Sequence, residues 1–190
     1  MDITERIRAE NEILQLSRVV SQMADTVVIT NIDGVIEYVN PAFEQLTGYS
    51  SAEALGKTPR LLKSDLHDAG FYERLWSTIL HGEVFQDEVI NRKKNGDLYY
   101  ETRVITPIRD AKGKITHFVA TGKDVTERKR VEKALRESEE RFRAVFESNN
   151  AIMLMMESDS GQIVDANPAA VEFYGYAREQ LISMNIGEIN

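Results

Sequence analysis

Asn91 is the residue of this sequence whose position most directly invites chemistry. It lies in the run Phe85-Gln-Asp-Glu-Val-Ile-Asn91-Arg92, where alternation along an extended chain puts Phe85, Val89 and Asn91 on one face and Glu88 and Arg92 on the other. An asparagine on an apolar face needs hydrogen-bond partners, so it implies either a bound ligand or a polar network in the core. A second run, Ile115 to Asp124, puts Phe118, Ala120 and Gly122 on one face. Its two small residues either leave room for a ring or accommodate Trp76. Trp76 itself reads as the core anchor of an amphipathic helix.

Other chemistries find less in the sequence. His67, His81 and His117 are scattered and there is no cysteine, so no metal-ligand spacing is present. His67 reads as a loop residue before Asp68, which caps the next helix, and His81 and His117 as surface or strand positions. The lack of cysteine excludes disulfides, thiolate metal sites, cysteine nucleophiles and any cysteine-adduct photochemistry. No phosphate-binding glycine loop, Gly-x-Ser-x-Gly elbow or kinase signature occurs. The 31 acidic residues stand against 23 basic ones, mostly in helix faces and turns, where solvation explains them. No catalytic residues are therefore assigned, and the chain is expected not to be an enzyme. A flavoenzyme is the rival class, and it would need an open substrate site beside the flavin.

The net charge of -8 argues against nucleic acid as a partner, since phosphate neutralisation needs a clustered basic surface. No stretch approaches the roughly 18 apolar residues of a membrane span. The opening MDITERIRAENEIL lacks the apolar core of a signal peptide. A cytoplasmic location is expected.

The elements that must position Asn91 follow from period and caps. Residues 2–23 predict a helix with a stripe of Ile3, Ile7, Leu14, Leu16, Val20 and Met23. Two β-branched runs, 26–30 and 35–39, flank the turn Asn31-Ile-Asp-Gly34 and predict a hairpin. Asn40-Pro41 is a helix start and Gly48 a left-handed helix end. Residues 50–66 predict short helical turns and loop broken at Pro59, followed by a helix from Asp68 to Gly82. Strands over 85–93, 98–108 and 115–124 are joined by turns at Asn95-Gly96 and Asp110-Gly113. This order predicts an α+β fold with an antiparallel sheet and helices on one face.

Residues 126–147 predict a charged helix in which Val131, Leu135, Ser138, Phe142 and Val145 follow the 3.5-residue period of a short coiled-coil seam. Then the opening pattern returns. The runs 151–156 and 161–165 match the first hairpin, and Asn167-Pro-Ala169 and Gly175-Tyr176 repeat Asn40-Pro-Ala42 and Gly48-Tyr49 at an offset of 127 (167 − 40 and 176 − 49). This is a tandem duplication. The expected layout is an N-terminal helix at 1–20, a complete domain at 21–124, a helical linker at 125–147 and a truncated second copy at 148–190. The second copy holds only 43 positions (190 − 148 + 1), at the edge of what folds alone. It is expected to be poorly ordered or to borrow contacts from a neighbour.

These residues resemble the PAS sensor family. The resemblance is carried by Gly34-Val-Ile-Glu-Tyr-Val-Asn40-Pro-Ala-Phe43, Gly48-Tyr49-Ser50, Asn91-Arg-Lys-Lys-Asn-Gly96, Thr106-Pro107-Ile-Arg-Asp110 and Asp124-Val-Thr-Glu-Arg128. It covers 21–128 in full and 148–190 in part. It implies a five-stranded antiparallel sheet whose helices enclose a ligand pocket on one face. It also implies an input or dimerisation role in sensor kinases, two-component systems and related regulators.

Within the family, Gly56 to Lys63, Phe71 to Trp76 and Val89 to Arg92 look most similar to two flavin-binding branches, the LOV photoreceptors and the NifL-type redox sensors. The resemblance puts Asn91 where those branches hydrogen-bond the flavin ring edge, and Trp76 at a tryptophan of the NifL-like branch. It implies a pocket formed by Asn91, Trp76, Phe85, Glu101, Phe118 and Gly122. Pro59 stands at the LOV cysteine position, Gly122 at its signalling glutamine and Glu101 at its second asparagine, so LOV photochemistry is not expected. The NifL-like reading lacks a glutamate at Pro59 but keeps Asn91 and Trp76. Bound FAD and an empty or metabolite-filled pocket both stay open, with a haem gas sensor ligated through His67 a more distant alternative.

A signal would pass from the last strand through Asp124 and Thr126 into the linker helix, in a homodimer formed through residues 2–23 and 126–147. A ligand-free dimerisation module is the rival reading.

Overall fold

The structure is a computed structural model that describes residues 3–189. Met1, Asp2 and Asn190 lie outside the described residues, as do the side chains of Ile3, Ile7 and Leu16 in the expected N-terminal stripe. The chain divides into two compact units, one up to Lys129 and one from Arg130 onward.

The first unit begins with helix α1 (Ile3–Gln22), followed by strands β1 (Thr26–Asn31) and β2 (Ile36–Val39). The turn between them closes because the Asn31 side-chain oxygen accepts the Asp33 and Val35 N–H groups, both at 3.0 Å. Helix α2 (Pro41–Thr47) starts at the Asn40 cap and ends on Gly48, whose φ of 78° is the left-handed geometry that glycine adopts without penalty. Helix α3 (Ser51–Ala54) and a 3₁₀ turn (Pro59–Leu62) follow. Pro59 therefore does more than interrupt the chain: its fixed φ suits the first position of that turn. Helix α4 (Ala69–Leu80) starts where Asp68 accepts the Phe71 N–H at 2.8 Å.

Strands β3 (Phe85–Arg92), β4 (Leu98–Arg109) and β5 (Ile115–Asp124) complete a five-stranded antiparallel sheet of order β2-β1-β5-β4-β3. The helices cover its inner face in two apolar clusters. One gathers Val28, Ile36, Val39, Phe43, Ala54 and Leu62, and the other Phe71, Ile79, Phe85, Val89, Ile105 and Phe118. Ala120 touches both and joins them. Helix α5 (Thr126–Ser148) leaves directly from β5. Val131, Leu135, Phe142 and Val145 of its expected seam are all exposed.

The second unit repeats the opening topology: β6 (Leu154–Met156) pairs with β7 (Ile163–Ala166), then come α6 (Pro168–Tyr174) and α7 (Arg178–Ile182). Its core is small, centred on Ala166, Ala170 and Leu181. Strand β6 is shorter than the apolar run 151–156: within that run the Ala151 carbonyl accepts from the Asn167 amide, and the Met153 N–H donates to the Asn167 side-chain oxygen.

The duplication is visible in a shared hydrogen-bond staple. In the first copy the Asn40 side-chain oxygen accepts the Val27 and Phe43 N–H groups, and its amide donates to Asp25 and Val20. In the second the Asn167 oxygen accepts the Met153 and Ala170 N–H groups, and its amide donates to Asn149 and Ala151. Each asparagine thus fastens a helix start to the beginning of its unit's first strand, at Val27 in β1 and at Met153 just before β6, and both are fully buried.

Candidate functional site

Four strands meet around a polar cluster on the inner face of the first sheet. Register pairs Asn91 with Tyr99, Val89 with Glu101 and Arg103 with Gly122, while Thr26 of β1 pairs with Gly122 from the other side. Side chains two residues apart share a face, so Tyr99, Glu101, Arg103 and Ile105 all point inward. The burial pattern of β4 follows that period.

At the centre is Glu101, with no exposed surface, while Asn91 is 5% exposed. The Asn91 amide donates to Glu101 Oε1 at 2.6 Å. The same carboxylate oxygen pairs with the Arg103 guanidinium. Glu101 Oε2 and Arg103 Nε are buried without a hydrogen-bond partner. Burial pushes the Glu101 carboxyl above the usual carboxylate range, against the opposing pull of Arg103 and of the Asn91 hydrogen bond. The Tyr99 phenol is also raised, first by burial and then by the neighbouring Glu101 charge.

Gly122 is what gives Glu101 its place. A Cβ there would land in the Glu101 carboxylate, and 2.6 Å from Thr26 Oγ1. The space this glycine leaves is therefore taken by the glutamate of the neighbouring strand, and not by Trp76.

Trp76 lies elsewhere. Its indole meets Phe118 edge-on with ring centroids 6.2 Å apart and covers the Gly34 turn, where a Cβ would come within 2.8 Å of Cη2. At 36% exposed it is a rim residue, which corrects its reading as a core anchor. The reason is its place on α4, whose buried side is carried by Phe71 and Ile79. Phe85 and Phe118 sit in the apolar cluster beside the polar one, with Phe71 packed edge-on to Phe85. Of the six expected pocket residues, Asn91, Glu101 and Gly122 converge; Phe85 and Phe118 flank them; Trp76 is with Phe118 only.

Tyr99, Arg103 and Thr26 were not among the expected residues. Stepping two positions either way from Glu101 along β4 would have found Tyr99 and Arg103. Thr26 depends on the β1–β5 pairing, which no local pattern encodes.

His67 is half-buried, and its Nε2 accepts the Ile90 N–H at 2.8 Å. It is therefore more than a loop residue, and that nitrogen's lone pair is already engaged. His81 ends α4 on the surface, and His117 lies on β5 facing Glu37 at 3.2 Å. Among the described residues no group of three or more His, Asp or Glu side chains is arranged to hold a metal ion.

At the exit of β5, the Asp124 carboxylate accepts the Thr126 N–H at 2.8 Å. The Thr126 hydroxyl oxygen accepts the Tyr100 N–H at 2.9 Å, and the Val125 N–H donates to the Tyr100 carbonyl at 2.9 Å. Tyr100 lies between Tyr99 and Glu101, so the start of α5 is bonded to the backbone that carries the polar cluster. Glu88 on the outer face of β3 adds ion pairs to Arg128 at 3.0 Å and Lys129 at 2.6 Å.

Comparison with known proteins agrees with this architecture. A PAS domain model matches residues 24–127, and a second PAS domain model matches residues 140–189. The chain is 30% identical over 146 residues to a nitrogen fixation regulatory protein of Klebsiella oxytoca, covering 77% of this chain and 30% of that protein. It therefore spans under a third of that relative's length. Among solved structures, an RNA-binding light-oxygen-voltage receptor superposes with a TM-score of 0.59 at 27% identity, over 66% of this chain and 36% of that one. The LOV domain of the Erythrobacter litoralis EL346 blue-light activated histidine kinase superposes with a TM-score of 0.52 at 29% identity, over 55% of this chain and 99% of that one. No helix among the described residues is long and apolar enough to cross a membrane. The five-stranded sheet, its helical cover and both matched segments lead to one conclusion: the chain belongs to the PAS domain family of sensor modules.

Proposed function

We propose that the first PAS copy is the sensory input of a signal-transduction protein, that it takes a flavin or similar heterocycle against the Asn91 face, and that it relays ligand state through α5. The observation that carries the reading is the pair of buried, unpartnered atoms, Glu101 Oε2 and Arg103 Nε, beside Asn91. Buried polar atoms without partners are rare and call for an explanation. Together the three side chains offer donors and acceptors side by side, which suits the alternating carbonyl and N–H edge of an isoalloxazine ring. When bound, a flavin supplies reversible one- or two-electron redox chemistry. Asn91 would orient the ring edge, Glu101 would accept from its N–H, and Arg103 would donate to a carbonyl.

The relay follows from the bonds at Tyr100. A shift of Glu101 moves β4, and the Thr126 hydroxyl and Val125 N–H carry that movement to the first turn of α5. Helix α5 transmits it if two helices packed along the exposed Val131–Val145 stripe have two arrangements of similar energy. The resulting homodimer, with α1 as a second contact, belongs to this proposal.

A ligand-free dimerisation module is the second reading. It is favoured by Glu101 itself, which fills the space over Gly122 and already bonds Asn91 and Arg103. The visible spectrum of the purified chain separates the two. Flavin absorption that is lost in Asn91→Ala, with the fold retained by circular dichroism, supports the first. A colourless protein that takes up neither FAD nor FMN on titration supports the second.

A further inference from the structure

We propose that His67 is a proton-sensitive latch that holds the 63–68 loop against the open edge of β3, one residue from Asn91. Strand β3 is the last in the sheet order, so one of its edges has no neighbouring strand. Exposed edges invite unwanted pairing and are commonly covered by a loop. Here the cover is fastened along Ile90, Asn91 and Arg92, with the histidine bond at Ile90. The Ile90 N–H donates to His67 Nε2 at 2.8 Å, and Ser64 Oγ donates to the Ile90 carbonyl at 2.5 Å. The Arg92 guanidinium donates to the Ser64 carbonyl at 3.1 Å, and Lys63 forms an isolated bridge with Asn91. The imidazole also stacks on Phe71 with centroids 4.1 Å apart, tying the loop to the first turn of α4.

The latch depends on one lone pair. Accepting at Nε2 requires the ring proton to sit on Nδ1. A second proton turns the ring into a donor at both nitrogens, and two N–H groups then face each other at the β3 edge. The Ile90 N–H loses its only named partner, and the loop keeps only the ties made by Ser64, Arg92 and the Lys63–Asn91 bridge. Charged and titratable groups on the segments that meet the ring include the Lys63–Asp65 pair and Asp68 on the loop, Tyr72, whose ring meets the imidazole edge-on with centroids 6.3 Å apart, and the Asp87-paired Arg74 on α4, and Arg92 on β3. None of these side chains supplies the Ile90 N–H with a replacement acceptor in the structure. The device works whatever the inner face binds.

The test is amide hydrogen exchange of the full chain by NMR at pH 8 and pH 5, with each rate corrected for its intrinsic pH dependence. In the wild type the protection of Ile90 relative to Val89 falls about tenfold on acidification, the equivalent of one neutral hydrogen bond. In His67→Gln, whose amide oxygen accepts at either pH, the ratio stays level. An unchanged ratio in the wild type, or the same fall in both proteins, overturns the latch. If the variant does not fold, imidazole nitrogen shifts of the wild type at pH 8 decide it: the Nδ1–H tautomer is expected, and the Nε2–H tautomer overturns the proposal.

Discussion

The Thr126 hydroxyl accepts the backbone N–H of Tyr100 at 2.9 Å, so the first turn of the linker helix is bonded to the strand that carries Glu101. Thr126 is buried, and its own N–H is held by Asp124. Replacing it with valine keeps the shape and removes the acceptor. Thr126→Val is expected to cost about 1–3 kcal/mol of stability in chemical denaturation, because the Tyr100 N–H is left without this partner. Thr126→Ser, which keeps the oxygen, should recover most of the loss.

Gly122→Ala is expected to destabilise by about 1–3 kcal/mol through overpacking against Glu101 and Thr26. Gly122 does not need a positive φ, so the cost is one of space. The double variant Gly122→Ala/Glu101→Ala should then be more stable than the sum of the two single losses. A thermodynamic cycle measures that difference, and strict additivity would refute the contact.

The raised Glu101 carboxyl predicts a pH dependence. The folded chain holds this proton more tightly than the unfolded one. The stabilisation is therefore complete below the ordinary carboxylate range and is lost as pH rises towards the raised folded value. Glu101→Gln keeps an acceptor for Asn91 and Arg103 but cannot ionise. Denaturation of both proteins from pH 4 to pH 8 should show the wild type losing stability relative to the variant, by up to about 1.4 kcal/mol per pH unit while the window lasts. A constant difference would contradict the assignment.

The exposed stripe on α5 predicts an oligomer. Leu135 and Phe142, 59% and 50% exposed, are the apolar residues nearest its centre. Sedimentation of the wild type should give a dimer, and the double variant Leu135→Lys/Phe142→Lys a monomer with unchanged circular dichroism. A monomeric wild type at tens of micromolar would remove the dimer from the proposed relay.

Much of this protein is local and was legible as such. Cap chemistry at Asn40 and Asn167, left-handed glycines at Gly48 and Gly175, and period-two runs from Phe85 to Asp124 identify the elements and the duplication. They do so because each signal is complete within a few residues. The inward direction of Asn91 follows from the same alternation, and so does the need for it to have a partner.

The identity of that partner was not local. Glu101 reaches Asn91, and its carboxylate lies over Gly122, only because β3, β4 and β5 pair in one register. A shift of a single residue would turn the whole set to the other face. The rim position of Trp76 depends on how α4 is set against the sheet, and the bond from Ile90 to His67 on where the loop meets an open edge. Periodicity assigns each residue a side of its own element. Which sides meet is settled by packing between segments far apart in the chain, and that was left to the tertiary structure.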